Sequence, residues 1–170
     1  MFFTDHGEYL RDLGLIEKWT SGLSDCLVKE PLIVGGGPIP EGVVINDMTE
    51  MVDLLPTVFG LCGVPELYPY NGKSLMPLIN LVSGYKHKEF AFLEGGFLPR
   101  GKTLQHEKIQ IVGKATACRD LEWTYVHRLY EMGELFDRKN DPKEGKQKAD
   151  EPQRSVLHVS MSEHWWQEIS

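Results

Sequence analysis

The chain has 170 residues, 41% hydrophobic and 25% charged, the balance of a globular protein with a real core. Its net charge of -7 leaves no basic footprint for nucleic acid, and no stretch approaches the run of about 18 apolar residues that spans a membrane. The charge is uneven: residues 1–85 hold 11 acidic against 4 basic residues, and residues 86–170 hold 14 of each. The acidic half repels an anionic substrate unless a bound metal inverts the local sign. Cys26, Cys62 and Cys118 form no CxxC pair and no zinc spacing, so they read as buried or free thiols suited to a reducing compartment. Met1-Phe2-Phe3-Thr4-Asp5-His6 has neither the basic region nor the apolar run of a secretory signal.

In chain order, Met1 to Thr4 reads as the end of a buried strand, with Asp5-His6-Gly7 just past its carboxyl end. That edge is where open α/β sheets bind ligands. Pro31-Leu32-Ile33-Val34 reads as a second buried strand, stopped by a turn at Gly35-Gly36-Gly37-Pro38. Met48, Met51, Val52, Leu55, Val58, Phe59 and Cys62 recur at three- and four-residue spacing and predict the clearest helix. Asn46 or Asp47 is placed to cap it and Gly63 to close it. Pro56 either kinks this helix or marks where it begins. The texture changes near residues 84–90. Phe90 to Leu93, Ile109 to Val112, Trp123 to His127 and Glu134 to Phe136 predict strands, and Asn140-Asp141-Pro142 a turn. Leu157, Met161 and Trp165 share one face of a closing helix.

Asp5-His6 pairs a carboxylate with an imidazole at a strand end, a combination able to ligate a divalent cation. The plain alternative is a turn in which Asp5 caps the next segment. Lys18 lies twelve residues on; beside a metal it would hold an anionic oxygen, and read locally it is a solvated lysine. His87, His106, His127, His158 and His164 show no metal-site spacing, and Gly35-Gly36-Gly37 lacks the phosphate-loop pattern.

Read together, several segments are similar to the sulfatases of the alkaline-phosphatase-like superfamily. Phe3-Thr4-Asp5-His6-Gly7-Glu8-Tyr9-Leu10 resembles the strand and loop of bacterial sulfatases. Leu13-Gly14-Leu15-Ile16-Glu17-Lys18-Trp19 follows at the family spacing, and Val28 to Val34 resembles the next strand. Asp53-Leu54-Leu55-Pro56-Thr57, Cys62-Gly63-Val64-Pro65 and Asn71-Gly72-Lys73-Ser74-Leu75 continue the match. Gly133-Glu134-Leu135-Phe136-Asp137 and Asn140-Asp141-Pro142-Lys143-Glu144 resemble the C-terminal hairpin. Arg11 and Leu13 depart from the family, standing where it often has Gly and an aromatic or His.

The resemblance implies the C-terminal portion of that α/β fold: strand–helix units, then a small antiparallel sheet and a C-terminal helix. Residues 1–85 would be the end of the catalytic α/β domain and residues 86–170 the small subdomain. It implies calcium as cofactor, with Asp5 and His6 as metal ligands, and Lys18 as the catalytic lysine on the sulfate group. The substrate would be a sulfated small molecule or glycan. The family nucleophile, a formylglycine made from the Cys or Ser of Cys/Ser-x-Pro/Ala-x-Arg, matches no segment here. The chain alone is therefore expected to be inactive, and to self-associate or pair with a missing N-terminal segment. A phosphonate or phosphate ester hydrolase fragment, or a non-catalytic assembly module, are the alternatives.

Overall fold

The computed structural model describes residues 1–18, 22–65, 67–96, 105–106, 109–110, 115–128 and 133–145. The expected closing helix, with Leu157, Met161 and Trp165, lies outside these residues, as do Trp19, Ile111 and Val112. In chain order the strands are β1 (Phe2–Phe3), β2 (Tyr9–Leu10), β3 (Ile16–Glu17), β4 (Leu32–Ile33), β5 (Ala91–Gly95), β6 (Gln105–His106), β7 (Ile109–Gln110), β8 (Ala115–Arg119), β9 (Trp123–Arg128) and β10 (Glu134–Asp137). The α-helices are α1 (Asp25–Val28), α2 (Leu54–Cys62) and α3 (Met76–Ile79), with 3₁₀ turns at Asp12–Gly14 and Met51–Asp53. No described helix is long and apolar enough to cross a membrane.

The chain forms two compact units. The first comprises Met1–Asp5 and Glu30–Ala91. Its core gathers Leu54, Leu75, Leu78 and Ile79, with Leu32, Val34 and Tyr85 packed around them. β1 pairs antiparallel with β4, Phe2 opposite Ile33 and Phe3 opposite Leu32. Phe2, Phe3 and Ile33 are strand residues, as expected, but are exposed rather than buried, because each strand pairs only with the other in a two-stranded sheet.

The helix predicted around residues 48–62 is present, with a different start. Met48 stands outside it, and Pro56 falls in the first turn of α2, where no intrahelical N–H is required. Neither Asn46 nor Asp47 caps it. Glu50 and Asp53 form a reciprocal capping box on the preceding 3₁₀ turn, and Asp47 instead accepts the backbone N–H of His87 at 3.0 Å. Gly63 closes α2 as predicted, in the left-handed conformation at φ 64°, with Val64 N–H bonded to the Phe59 carbonyl at 2.9 Å.

The motif Asp53-Leu54-Leu55-Pro56-Thr57 is held by a buried polar network. Asp53 is 0% exposed. One carboxylate oxygen accepts Lys73 N–H at 2.7 Å and Lys88 Nζ at 2.9 Å; the other accepts Glu50 N–H at 2.9 Å and His87 Nε2 at 3.1 Å. With Nε2 donating, His87 Nδ1 is left to accept from the Tyr85 hydroxyl at 3.2 Å. Thr57 Oγ1 donates to the Asp53 carbonyl at 2.6 Å and accepts Leu75 N–H at 2.8 Å. Gly72 makes the approach of Lys73 possible, because a Cβ there would overlap the Val52 carbonyl. Burial alone would raise the Asp53 pKa, but the donors around it hold its carboxyl below the ordinary range.

The second unit comprises His6–Lys29 and Phe92–Ser170. Its sheet has the order β10-β9-β8-β5, with β9 antiparallel to both β8 and β10. Leu23 of the segment leading into α1 packs on Ala115, Ala117 and Val126, with Val28, Leu93 and Phe136 around them. The predicted strands at Trp123 to His127 and Glu134 to Phe136 are present; β8 had no counterpart among the expected elements. A buried ionic cluster ties α1 to the sheet. Arg119 pairs with Asp25 and reaches Glu144 at 3.8 Å, Arg138 Nε lies 3.5 Å from Asp25, and Asp25 N–H donates to Glu144 at 2.8 Å. Burial pushes the Glu144 carboxyl up despite the two arginines, and lowers Arg119 to about 10.

Candidate functional site

Of the predicted site residues, Asp5 ends the N-terminal segment of the first unit, and His6 and Lys18 flank a small hairpin of the second. Tyr9 lies opposite Glu17 and Leu10 opposite Ile16, with the 3₁₀ turn between them. Extending that register sets Lys18 across from Glu8 and points it back toward His6. Lys18 Nζ lies 3.0 Å from His6 Nε2. An ammonium only donates, so His6 Nε2 accepts, and its Nδ1–H donates to the Gly7 carbonyl at 2.9 Å. The imidazole in this arrangement is therefore the neutral tautomer carrying its proton on Nδ1. Asp5, His6 and Lys18 are all exposed.

The hairpin is fixed at its base. Tyr9 is its buried anchor, donating to Ser24 Oγ at 3.0 Å, and Gly7 N–H bonds to the Leu27 carbonyl at 2.9 Å. Burial pushes the Tyr9 hydroxyl pKa up, so it stays a neutral donor. At the tip, Arg11 N–H bonds to the Leu15 carbonyl and Leu15 N–H to Asp12, both at 2.9 Å, and Leu10 N–H to the Asp12 carboxylate at 3.1 Å. The turn is backbone-strained: Arg11, Leu13 and Glu17 have φ of 77°, 51° and 63°. Tyr9 and Ser24 were not legible as anchors, since a lone tyrosine and serine fifteen residues apart carry no pattern.

Two of the three expected site residues, His6 and Lys18, are thus brought into contact. As a calcium site the chain's donors are too few. Calcium takes six to eight ligands, mostly oxygen, whereas Asp5 and His6 offer one carboxylate and one imidazole. Among the described residues, no group of three or more His, Cys, Asp or Glu side chains is placed to hold a metal ion. Cys26, Cys62 and Cys118 are free thiols, partly buried, exposed and buried in turn.

No family model matches the chain. The choline-sulfatase of Rhizobium meliloti (strain 1021) is 26% identical over 165 residues, 95% of this chain and 29% of that protein. A solved 2-O GAG sulfatase superposes with a TM-score of 0.80 at 24% identity, over 98% of this chain and 35% of that one. The chain is thus similar in sequence to sulfatases over nearly all of its length and shares their alkaline-phosphatase-like fold. The phosphonate monoester hydrolase of Agrobacterium radiobacter has the same fold, with a TM-score of 0.83 at 23% identity over 98% of this chain and 34% of that one. The chain therefore spans about a third of the length of these solved neighbours, and less than that of the curated relative. Its fold is a partial alkaline-phosphatase-like one, mixed helix and strand with a small antiparallel sheet.

Proposed function

We propose that this chain contributes one side of a sulfate-ester hydrolase site, and that Lys18 and His6 are its working residues. The supporting observation is the 3.0 Å contact between Lys18 Nζ and His6 Nε2, closed by a hairpin across twelve residues. An exposed ammonium held in place offers a hydrogen-bonded positive charge to a sulfate oxygen, and such charge counts most where negative charge builds in the transition state. His6 orients that ammonium, and the Gly7 carbonyl fixes the tautomer of His6.

Asp5 and His6 would be the chain's share of a calcium shell whose other donors lie outside these 170 residues, with the Nε2 lone pair of His6 turning from Lys18 to the ion when it binds. Bound calcium would supply further charge for the transferring oxygens. The nucleophile also lies outside, since no Cys/Ser-x-Pro/Ala-x-Arg pattern occurs. Without it a covalent mechanism loses many orders of magnitude in rate. The substrate is a sulfated small molecule or glycan, in keeping with the choline and GAG in the names of two relatives.

The test is an assay of the 170-residue chain on an activated aryl sulfate and on a phosphonate monoester, with and without calcium, beside an Asp5→Ala/His6→Ala control. No turnover above the control is expected. Calcium-dependent turnover that the double substitution abolishes would mean that the chain holds its own nucleophile, and the partial-site reading would fall. Turnover of the phosphonate alone would move the chemistry to the second hydrolase class.

A further inference from the structure

The best amphipathic pattern in the sequence points the wrong way for a finished domain. Met51, Leu55, Val58 and Cys62 stand at i, i+4, i+7 and i+11, the spacing of a core-facing helical stripe. In the first unit that stripe faces solvent: Met51 and Leu55 are each 46% exposed, Val52 49% and Val58 38%, and Cys62 is exposed. The opposite side of α2 packs Leu54 on Leu75, Leu78 and Ile79 of the α3 region and is already filled. Val44, in the run just before the helix, is more exposed still. A continuous apolar stripe of this kind marks a surface that is covered in the working molecule.

Two observations say by what. The same fold covers 98% of this chain but only 34% of the phosphonate monoester hydrolase, so most of the polypeptide that builds this fold lies beyond these residues. The first unit also holds eight acidic against three basic residues, so two copies meeting face to face would bring like charge together.

We propose that the outer stripe of α2 is the docking face for the polypeptide that carries the remainder of this chain's own α/β fold, and not for a second copy of the chain. The inference rests on the fold. A complex that forms and hydrolyses no ester would sink the hydrolase reading and leave this one standing.

The experiment mixes the purified 170-residue chain with the choline-sulfatase of Rhizobium meliloti from which the segment matched to this chain has been deleted. That enzyme's own matching segment is the control for reassembly. Complexes are followed by size-exclusion chromatography with light scattering and by titration. A 1:1 complex with the wild-type chain is expected. Leu55→Glu/Val58→Glu should weaken it about a hundredfold or more, because a carboxylate buried without a partner is strongly disfavoured. The same double variant should keep the unfolding midpoint of the wild-type chain, since both side chains face solvent there. Equal binding by the variant overturns the proposal. So does absence of binding where the choline-sulfatase segment binds, or a discrete wild-type dimer that the double variant dissolves.

Discussion

Asp53 in the first unit and Glu144 in the second are both buried carboxylates, yet they end on opposite sides of their ordinary acidity. Asp53 is surrounded by four donors that use both of its oxygens, and these outweigh the burial that would raise it. Glu144 takes one close backbone N–H, and its nearer arginine contact is long at 3.8 Å, so burial prevails. The difference lies in how many donors, the Lys88 ammonium among them, are aimed at the carboxylate oxygens. Arg119 and Arg138 lie near Glu144, but undirected charge does less for a buried carboxylate than donors aimed at its lone pairs.

Matched isosteric substitutions break this comparison most directly. Asp53→Asn puts an amide NH₂ against a ring of donors and leaves the His87 and Lys88 contacts uncompensated. A stability loss of about 3–5 kcal/mol is expected in urea unfolding. Glu144→Gln keeps an acceptor for Asp25 N–H, leaves Asp25 to the two arginines, and removes a charge that burial disfavours. Its expected cost is about 1 kcal/mol or less. Equal losses at the two sites would show that both carboxylates act simply as ion-pair partners.

The pH dependence separates them by sign. The folded-state pKa of Asp53 is below its unfolded value, so its contribution is fully present above the unfolded value and is lost as pH falls through the folded one. The folded-state pKa of Glu144 is above its unfolded value, so the folded chain binds the proton more readily. Its contribution is full below the unfolded value and declines as pH rises through the folded one. Urea midpoints measured from pH 3 to 7 should therefore change slope in one direction with Asp53→Asn and in the other with Glu144→Gln. Parallel changes would defeat the assignment.

Much of the fold was legible because the side chains advertise it. Trp123 to His127 and Glu134 to Phe136 carry the aromatic and apolar alternation of strands, and the helix ending at Gly63 carries its period. β8 was not legible, because Ala115-Thr116-Ala117-Cys118-Arg119 is built of small residues with little strand preference. Their smallness is what admits Leu23 and Val28 onto the sheet. The helix start was misread at Asn46 and Asp47 because Asp47 is engaged by His87, forty residues away. His87 itself carried no signal, since its partner Asp53 is 34 residues distant. The proposed site residues Asp5, His6 and Lys18 were singled out chiefly through family resemblance. The contact between His6 and Lys18 depends on a turn in which Asp12 and Gly14 are ordinary turn formers, but the left-handed Arg11 and Leu13 beside them are not foreseeable from residue type.

That turn also holds the smallest effect and the sharpest contrast with the buried networks. Arg11 is exposed and sits at φ 77°, a conformation that costs a side-chain-bearing residue about 1–2 kcal/mol and glycine nothing. Against this gain stands the greater freedom of glycine in the unfolded chain, which returns part of it. Arg11→Gly should therefore stabilise the chain by about 0.5–1 kcal/mol in urea unfolding while leaving the Lys18–His6 contact in place. That contact is readable as the Nδ1–H tautomer of His6 in nitrogen-detected NMR. A destabilised variant would mean that the arginine side chain makes a contact worth more than the backbone strain. A stabilised variant with an altered His6 tautomer would mean that the strain at Arg11 is what aims Lys18 at His6, and that the exposed hairpin carries cost for the sake of the site.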